Sequence, residues 1–319
     1  MKKVIIYFLS LVMILIAPFI GDFIIDFSKI NAMDSQDYMV FWDLRLPRVF
    51  LAFFCGAILS LSGLVFQTIF KNALITPYTL GVASGSTLFT ALFIIFFPSY
   101  IYVFGGFLGA FLTIVLLFFI SNRINQNSIL VQTNSFLLVG IALSFFYSAC
   151  LMLLFTVSNF EENYSIVRYT LGSLDIVGFD YVFPVGFASS VLLFMVYLYK
   201  KEITLMLTSN ENAFLKGVEV KKVNFILLLV VSFCVGICIS FTGPIGFIGL
   251  VVPHIIKIVY KQSAYKLFWP VFFFGGVFLV VCDFISRNLI QSSTLPIGVV
   301  TAFIGAPFFI YLIVRRSYK

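Results

Sequence analysis

The sequence predicts an all-α polytopic membrane protein of about ten transmembrane helices, and three observations carry that prediction. The 319-residue chain is 61% hydrophobic and only 10% charged, where soluble chains average about a quarter charged residues. Its mean hydropathy is +1.12. Apolar stretches of about 20 residues, enough to cross a ~30 Å hydrocarbon layer, recur along nearly the whole length. They are continuous rather than alternating, which argues against a membrane barrel. No polar segment is long enough for a soluble domain, so 1–319 reads as a single transmembrane domain.

The spans fall near residues 4–21, 47–70, 80–97, 101–120, 135–157, 182–200, 223–242, 245–260, 267–286 and 296–314. The first follows Lys2-Lys3 and ends at Ala17-Pro18-Phe19-Ile20-Gly21, a poor small-residue cleavage site, so it reads as an uncleaved span. The second opens with Pro47, tolerated at a helix start because that N–H has no intrahelical partner. Ser62-Gly63, Gly81, Ser84-Gly85-Ser86 and Gly105-Gly106 are small residues that let helices approach closely. The seventh and eighth spans meet in Phe241-Thr242-Gly243-Pro244-Ile245-Gly246-Phe247-Ile248-Gly249-Leu250-Val251-Val252-Pro253-His254. Three glycines and two prolines there forbid a plain lipid-facing helix, because freed backbone groups must find partners in protein or water. The run predicts a helix break at an outer hairpin, with His254 a packed structural residue on the span beyond.

Charge sets the orientation. With the N-terminus in the cytoplasm, fifteen Lys and Arg lie inside and five outside: Lys29, Arg45, Arg48, Arg168 and Arg287. The opposite orientation inverts this bias. The net charge of +7 therefore reflects topology and not nucleic-acid binding, and both termini are expected in the cytoplasm. The cytoplasmic segment 201–222 carries Thr208-Ser209-Asn210-Glu211, which fits a capping box, and Gly217, placed to end a helix in the left-handed conformation. A short surface helix from about Ser209 to Lys216 is expected, with Ala213, Phe214 and Val218 forming its apolar side.

Catalytic patterns are missing. One histidine rules out a His-rich metal site, and no GxxxxGK[ST] loop is present, so an ATPase would have to be another chain. The five cysteines all lie in apolar runs and read as small buried side chains. Asp283 lies four residues before Arg287, on the same helix face, and reads as a structural pair. No chain of titratable groups crosses the membrane, which argues against a proton-coupled secondary transporter, and an intramembrane enzyme would have only Asp283 and His254 to work with. Arg45 and Arg48, three apart at the start of the second span, either snorkel to lipid phosphate or present fixed cations to an acidic outer partner.

Four ordered segments carry a family resemblance over nearly the full length. They are Leu44-Arg45-Leu46-Pro47-Arg48, the Gly63–Gly81 stretch GLVFQTIFKNALITPYTLG, the Phe241–His254 run, and LPIGVVTAFIGAPFFIYLI from Leu295 to Ile313. The chain resembles the FecCD family of permease subunits of bacterial ABC importers for iron-siderophores, haem and cobalamin. It departs from the family pattern at Ala73 and Thr76, near the expected cytoplasmic turn after the second span.

The resemblance implies a type II importer fold of ten spans and no enzymatic activity in this chain. It implies neither cofactor nor metal. A second permease (identical or a sister chain), two ATP-binding subunits below and an extracytoplasmic substrate-binding protein above are the expected partners, in the bacterial cytoplasmic (inner) membrane. Ser209, Glu211, Phe214, Leu215, Gly217 and Val218 would form the ATPase coupling helix. Arg45, Arg48 and Arg287 would receive the binding protein, and Thr133 and Asn134 would mark an inner gate. Gly243, Pro244, Gly246, Gly249, Pro253, His254 and Asp283 would be structural. The expected cargo is a ferric-siderophore-type chelate, with haem or cobalamin as the alternative.

Overall fold

The computed structural model describes residues 2–21, 23–26, 28–32, 34–97, 102–124, 129–208, 210–260, 266–290 and 294–317. All regular structure among them is helical. In chain order the helices are α1 (Lys2–Ile16), α2 (Gln36–Tyr38), a π-helical stretch (Met39–Arg45), α3 (Leu46–Ile69), α4 (Val82–Phe96), α5 (Tyr102–Ile124), α6 (Ile129–Val157), α7 (Phe160–Thr170), α8 (Val182–Leu198), α9 (Lys200–Thr208), α10 (Asn210–Leu215), α11 (Val220–Thr242), α12 (Ile248–Tyr260), α13 (Phe268–Asn288) and α14 (Ile297–Ser317). Ten of these coincide with the ten expected spans. Among the described residues four stretches are individually long and apolar enough to cross a membrane: Gln36–Ile69, Phe136–Val157, Val220–Thr242 and Phe268–Asn288.

The bundle is built around α3. In its most apolar stretch 83% of residues are buried, against 11% for Phe136–Val157, so α3 is the central column and α6 a peripheral one. Around α3 stand α13, α12, α8 and α11, while α4 and α5 pair with each other and with α6. Small residues make this possible, because nothing hydrophobic drives one apolar helix onto another in lipid and close backbone approach must supply the attraction. A Cβ at Gly56 would collide with the Gly275 carbonyl, and one at Gly63 with the Gly249 carbonyl. Gly85 and Gly109 meet in the same way between α4 and α5. Ser60 adds a hydrogen bond from Oγ to the Val271 carbonyl at 2.9 Å, tying α3 to α13.

The third span is shorter than its apolar run predicts. α4 has 15 residues, or about 22 Å of helix, and cannot cross alone. The segment before it does not turn at the membrane surface, as the sequence suggested for Ala73 and Thr76. Thr76, Pro77 and Tyr78 share a cleft with Leu59 and Val235, and Leu59 lies about 15 Å of helix rise back from the end of α3. The chain thus re-enters the bundle before α4, whose N-cap Gly81 has φ +81°. Thr76 is competent in this role: its hydroxyl accepts from Thr79 N (3.2 Å), and the Thr79 hydroxyl accepts from Thr76 N (2.9 Å).

Gly56→Val should lower stability by about 1–3 kcal/mol or more, since the new methyls meet backbone that cannot move. Gly246→Ala is the tolerated control, its nearest neighbour being the Tyr78 ring at 3.7 Å. Thermal melts of both variants in detergent check this.

Candidate functional site

The predicted break between the seventh and eighth spans is real and is held by a neighbour the sequence did not reveal. Gly243 has φ +69°, and a Cβ on it would collide with the Tyr169 carbonyl. The strap after α7 threads this gap. Ser173 N donates to Thr242 O (2.8 Å), and Gly298 N donates to Leu171 O (3.1 Å). The Gly-Pro-Ile-Gly and Leu-Pro-Ile-Gly turns therefore close on one segment from opposite sides. Phe247, also in the left-handed region with φ +67°, precedes α12. Its Cβ lies 2.5 Å from where a Cβ on Gly305 would sit, so α14 needs glycine there.

Pro253 has a direct electrostatic consequence. It has no N–H to offer the carbonyl four residues back, which is that of Gly249. That carbonyl accepts instead from Gln67 Nε2 on α3 at 3.0 Å. Lys257 Nζ, one turn beyond Pro253, donates to Gln67 Oε1 at 2.9 Å. The two quoted motifs that contain Gln67 and Pro253 are thus joined by one hydrogen-bond relay. His254 is half-buried on α12 and takes no part in the cavity lining.

The breaks converge on a cavity of about 410 Å³. It is lined by Thr76, Tyr78 and Thr79 from the re-entrant segment, Thr170 and Leu171 from the strap, Pro244, Gly246, Phe247 and Leu250 from the hairpin, and Gly298, Val299, Ala302 and Phe303 from α14. Its polar side chains are hydroxyls, and no charged group, His or Cys is among these lining residues. Such a surface suits passage of a cargo with its charges already wrapped, since it offers neutral hydroxyl and apolar contacts and no charged group. Non-helical backbone at membrane depth is tolerated where it is buried in protein or lines a cavity.

The outer arginines are arranged differently from the expectation. Arg45, Arg48 and Arg287 are not displayed to a partner; they are turned inward. Arg45 is 7% exposed and donates to the carbonyls of Pro18 (3.3 Å), Phe19 (3.3 Å) and Phe23 (2.6 Å). Arg287 Nη2 reaches Ala17 O at 3.3 Å. Two guanidinium groups thus satisfy carbonyls where α1 ends, a place that favours cations. Arg45 and Arg48 do not share a direction, because the helix changes from π to α between them.

Arg48 and Arg287 also converge on Asp283, whose side chain is 0% exposed. Arg48 Nε donates to Oδ1 at 2.7 Å, and Arg287 Nε stands 3.0 Å from Oδ2 as an ion pair without hydrogen-bond alignment. The expected Asp283–Arg287 pair is present but is half of a larger chain. Arg48 Nη1 also bonds Asp175, and Arg168 Nη2 lies 3.4 Å from the other oxygen of Asp175. Five alternating charges from α7, its strap, α3 and α13 are linked, and the Arg168 side chain at 59% is the exposed end. Arg168 and Asp175 escaped sequence reasoning; the outward position of Arg168 was the available signal.

On the opposite side, α8 and α9 meet at a 64° bend. The short helix expected near 209–216 is α10 (Asn210–Leu215). Gly217 has φ +81° as expected. Val218 N donates to Ala213 O (3.0 Å) and Gly217 N to Phe214 O (2.9 Å), the two bonds of a Schellman cap. The apolar side needs correction: Ala213 and Val218 are buried at 0% and 9%, whereas Phe214 and Leu215 project at 72% and 80% exposure. Ser209 and the side chains of Thr208, Glu211, Thr133 and Asn134 lie outside the described residues, so the capping box and the inner gate are not located.

A re-entrant segment, a helix break at Gly243–Phe247 and an uncharged cavity between them belong to a polytopic membrane protein with the fold of ABC-transporter permeases. The FecCD transport family model matches residues 9–315, and this chain belongs to that family. It is 33% identical over 277 residues, 87% of this chain and 83% of the relative, to a Helicobacter pylori protein named "Probable iron chelatin transport system permease protein". It is 29% identical over 294 residues, 91% and 87% of the two chains, to the vitamin B12 import system permease BtuC of Vibrio cholerae. A solved structure described as "An inward-facing conformation of a putative metal-chelate type ABC transporter" superposes with a TM-score of 0.87 at 27% identity, covering 99% of this chain and 100% of the other.

Asp283→Asn should destabilise the protein by about 3–5 kcal/mol, because Arg48 and Arg287 would remain buried with half their counter-charge gone. Adding Arg287→Met should recover part of the loss, and melting temperatures of the two variants read the coupling. At the relay, Gln67→Leu should cost about 1–3 kcal/mol by stripping the Gly249 carbonyl of its donor. The cost should shrink in a Pro253→Ala background, where an intrahelical N–H can replace it; an additive double mutant would refute the relay.

Proposed function

We propose that this chain is the permease subunit of an ABC importer that moves a ferric-siderophore-type chelate across the bacterial cytoplasmic membrane, with both termini in the cytoplasm. The observation that carries the reading is the cavity where the helix breaks meet. It is uncharged and hydroxyl-lined, with no carboxylate, thiolate or imidazole among its lining residues, as a path for a chelated metal should be. A bare metal ion would need carboxylate, thiolate or imidazole ligands. The iron-chelatin name of one relative favours iron over the vitamin B12 of another. Energy would come from two ATP-binding subunits, and a second permease chain would supply the other wall of the path.

The exposed pair Phe214 and Leu215, presented by a capped two-turn helix, supports α10 as the ATPase docking element, together with Ser209, Glu211, Gly217 and Val218. Thr133 and Asn134 remain the proposed inner gate. An acidic substrate-binding protein approaching from outside would meet Arg168 first. It would reach Arg45, Arg48 and Arg287 only by exchanging with Asp175, Asp283 and the carbonyls that end α1. Docking would then loosen the strap that borders the cavity, which gives alternating access a starting point.

Vesicles containing the assembled complex should accumulate ferric siderophore only with ATP inside the compartment holding the ATPase subunits. Uptake by the purified chain alone, driven by an ion gradient, would sink the proposal. Phe214→Asp with Leu215→Asp should abolish stimulated ATP hydrolysis and uptake while leaving membrane insertion intact, and unchanged uptake would refute the docking role of α10.

A further inference from the structure

A second cavity, of about 450 Å³, lies in the angle between α9, the 216–219 linker and the first turns of α11. It is separate from the path and lies beside the base of α10. Its lining mixes charges: Lys201, Lys216 and Lys222 with Glu202 and Glu219. Lys222 and Glu219 form a loose exposed pair at 3.8 Å. Glu202 is different, because its Oε2 is buried with no hydrogen-bond partner among the described residues. That oxygen is shut off from the cavity, so it is the other carboxylate oxygen of Glu202, Oε1, that the cavity offers to a cationic N–H group.

The remaining wall is apolar, with Leu205, Val223 and Ile226. On the same turn of α11 and the next, Phe225 and Leu229 are exposed at 48% and 41%. Beside the 64° bend, Lys200 Nζ stands 5.8 Å from the centre of the Tyr197 ring. Aromatic and basic side chains together mark the level where hydrocarbon gives way to headgroups. The cavity thus combines a headgroup-level position, an orphaned carboxylate, clustered lysines and a lipid-facing apolar wall.

We propose that this cavity binds the headgroup of an aminophospholipid of the adjacent leaflet. The primary ammonium donates to Glu202, the phosphate lies among Lys201 and Lys216, and the acyl chains follow the Phe225 and Leu229 side of α11. Basic pockets at this level attract lipid phosphate; the carboxylate adds the selection. A headgroup carrying only negative charge sets that charge against Glu202, and a choline headgroup has no N–H for its carboxylate. A basic side chain from a protein partner would answer Glu202 but meet three lysines on the way. The bound lipid would brace the linker from which α10 projects.

Mild delipidation of the full-length protein from nanodiscs of mixed phosphatidylethanolamine, phosphatidylcholine and phosphatidylglycerol, followed by native mass spectrometry, tests this. Phosphatidylethanolamine should be retained over phosphatidylcholine by roughly tenfold, the equivalent of one charge-assisted hydrogen bond. Glu202→Gln should erase that preference and leave phosphatidylglycerol retention unchanged. Equal retention of the ethanolamine and choline lipids by the wild type overturns the proposal, as does a preference for phosphatidylglycerol. Should Glu202→Gln fail to fold, the wild-type comparison decides alone. If Glu202→Gln weakens capture of an ATPase subunit while ethanolamine-lipid retention is unchanged, the cavity docks protein and the lipid assignment fails. None of these readouts requires transport, so they stand apart from the proposed function.

Discussion

The structure depends on one constraint: at membrane depth every backbone carbonyl and amide must find a partner inside the protein. The Gly249 carbonyl is the clearest case. Pro253 leaves it without its intrahelical donor, and Gln67 replaces that donor from the central helix. Gly63 lets α3 come close enough for the exchange, and Lys257 holds the other end of the amide. Five residues from two helices are thereby needed together. The same rule explains why the Gly243 turn is threaded by the strap after α7, whose amides and carbonyls answer those of Thr242 and Gly298.

These satisfied breaks make the cavity. A continuous helix buries its polar backbone within itself and presents only side chains. A broken one can bring turn residues such as Gly246, Tyr78 and Gly298 to a common space. The cost of breaking spans is thus tied to the only feature that a permease needs and a membrane anchor does not. The hydroxyls of Thr76, Thr79 and Thr170 keep that space polar without charging it.

The face that carries the arginines obeys the same economy for charge. Three inward-turned arginines, Arg45, Arg48 and Arg287, would be unsupportable at low exposure without Asp283, Asp175 and the carbonyls at the end of α1. The network joins α1, α3, α13 and the strap, so a change at its exposed end, Arg168, is placed to reach the turns beside the cavity. On the other side of the molecule the contacts are built for projection. The Schellman cap fixes α10 with Ala213 and Val218 inward and leaves Phe214 and Leu215 outward.

Hydropathy and charge by themselves determined the class, the places of ten apolar helices and the existence of a break at Gly243-Pro244, because each follows from local chemistry repeated along the chain. Gly217 as a left-handed stop and the Asp283–Arg287 pair were legible for the same reason: their partners lie within a few residues. Pro253 even announced an orphan carbonyl at Gly249, though not who would satisfy it. The tertiary structure alone decided that Gln67 does so, that Asp175 bridges Arg168 to Arg48, and that the segment around Thr76 climbs back into the bundle. Those contacts join residues far apart in the chain, and the energy that selects them is the penalty for leaving a polar group alone in hydrocarbon. A linear sequence records that the penalty exists; only packing shows which distant group relieves it.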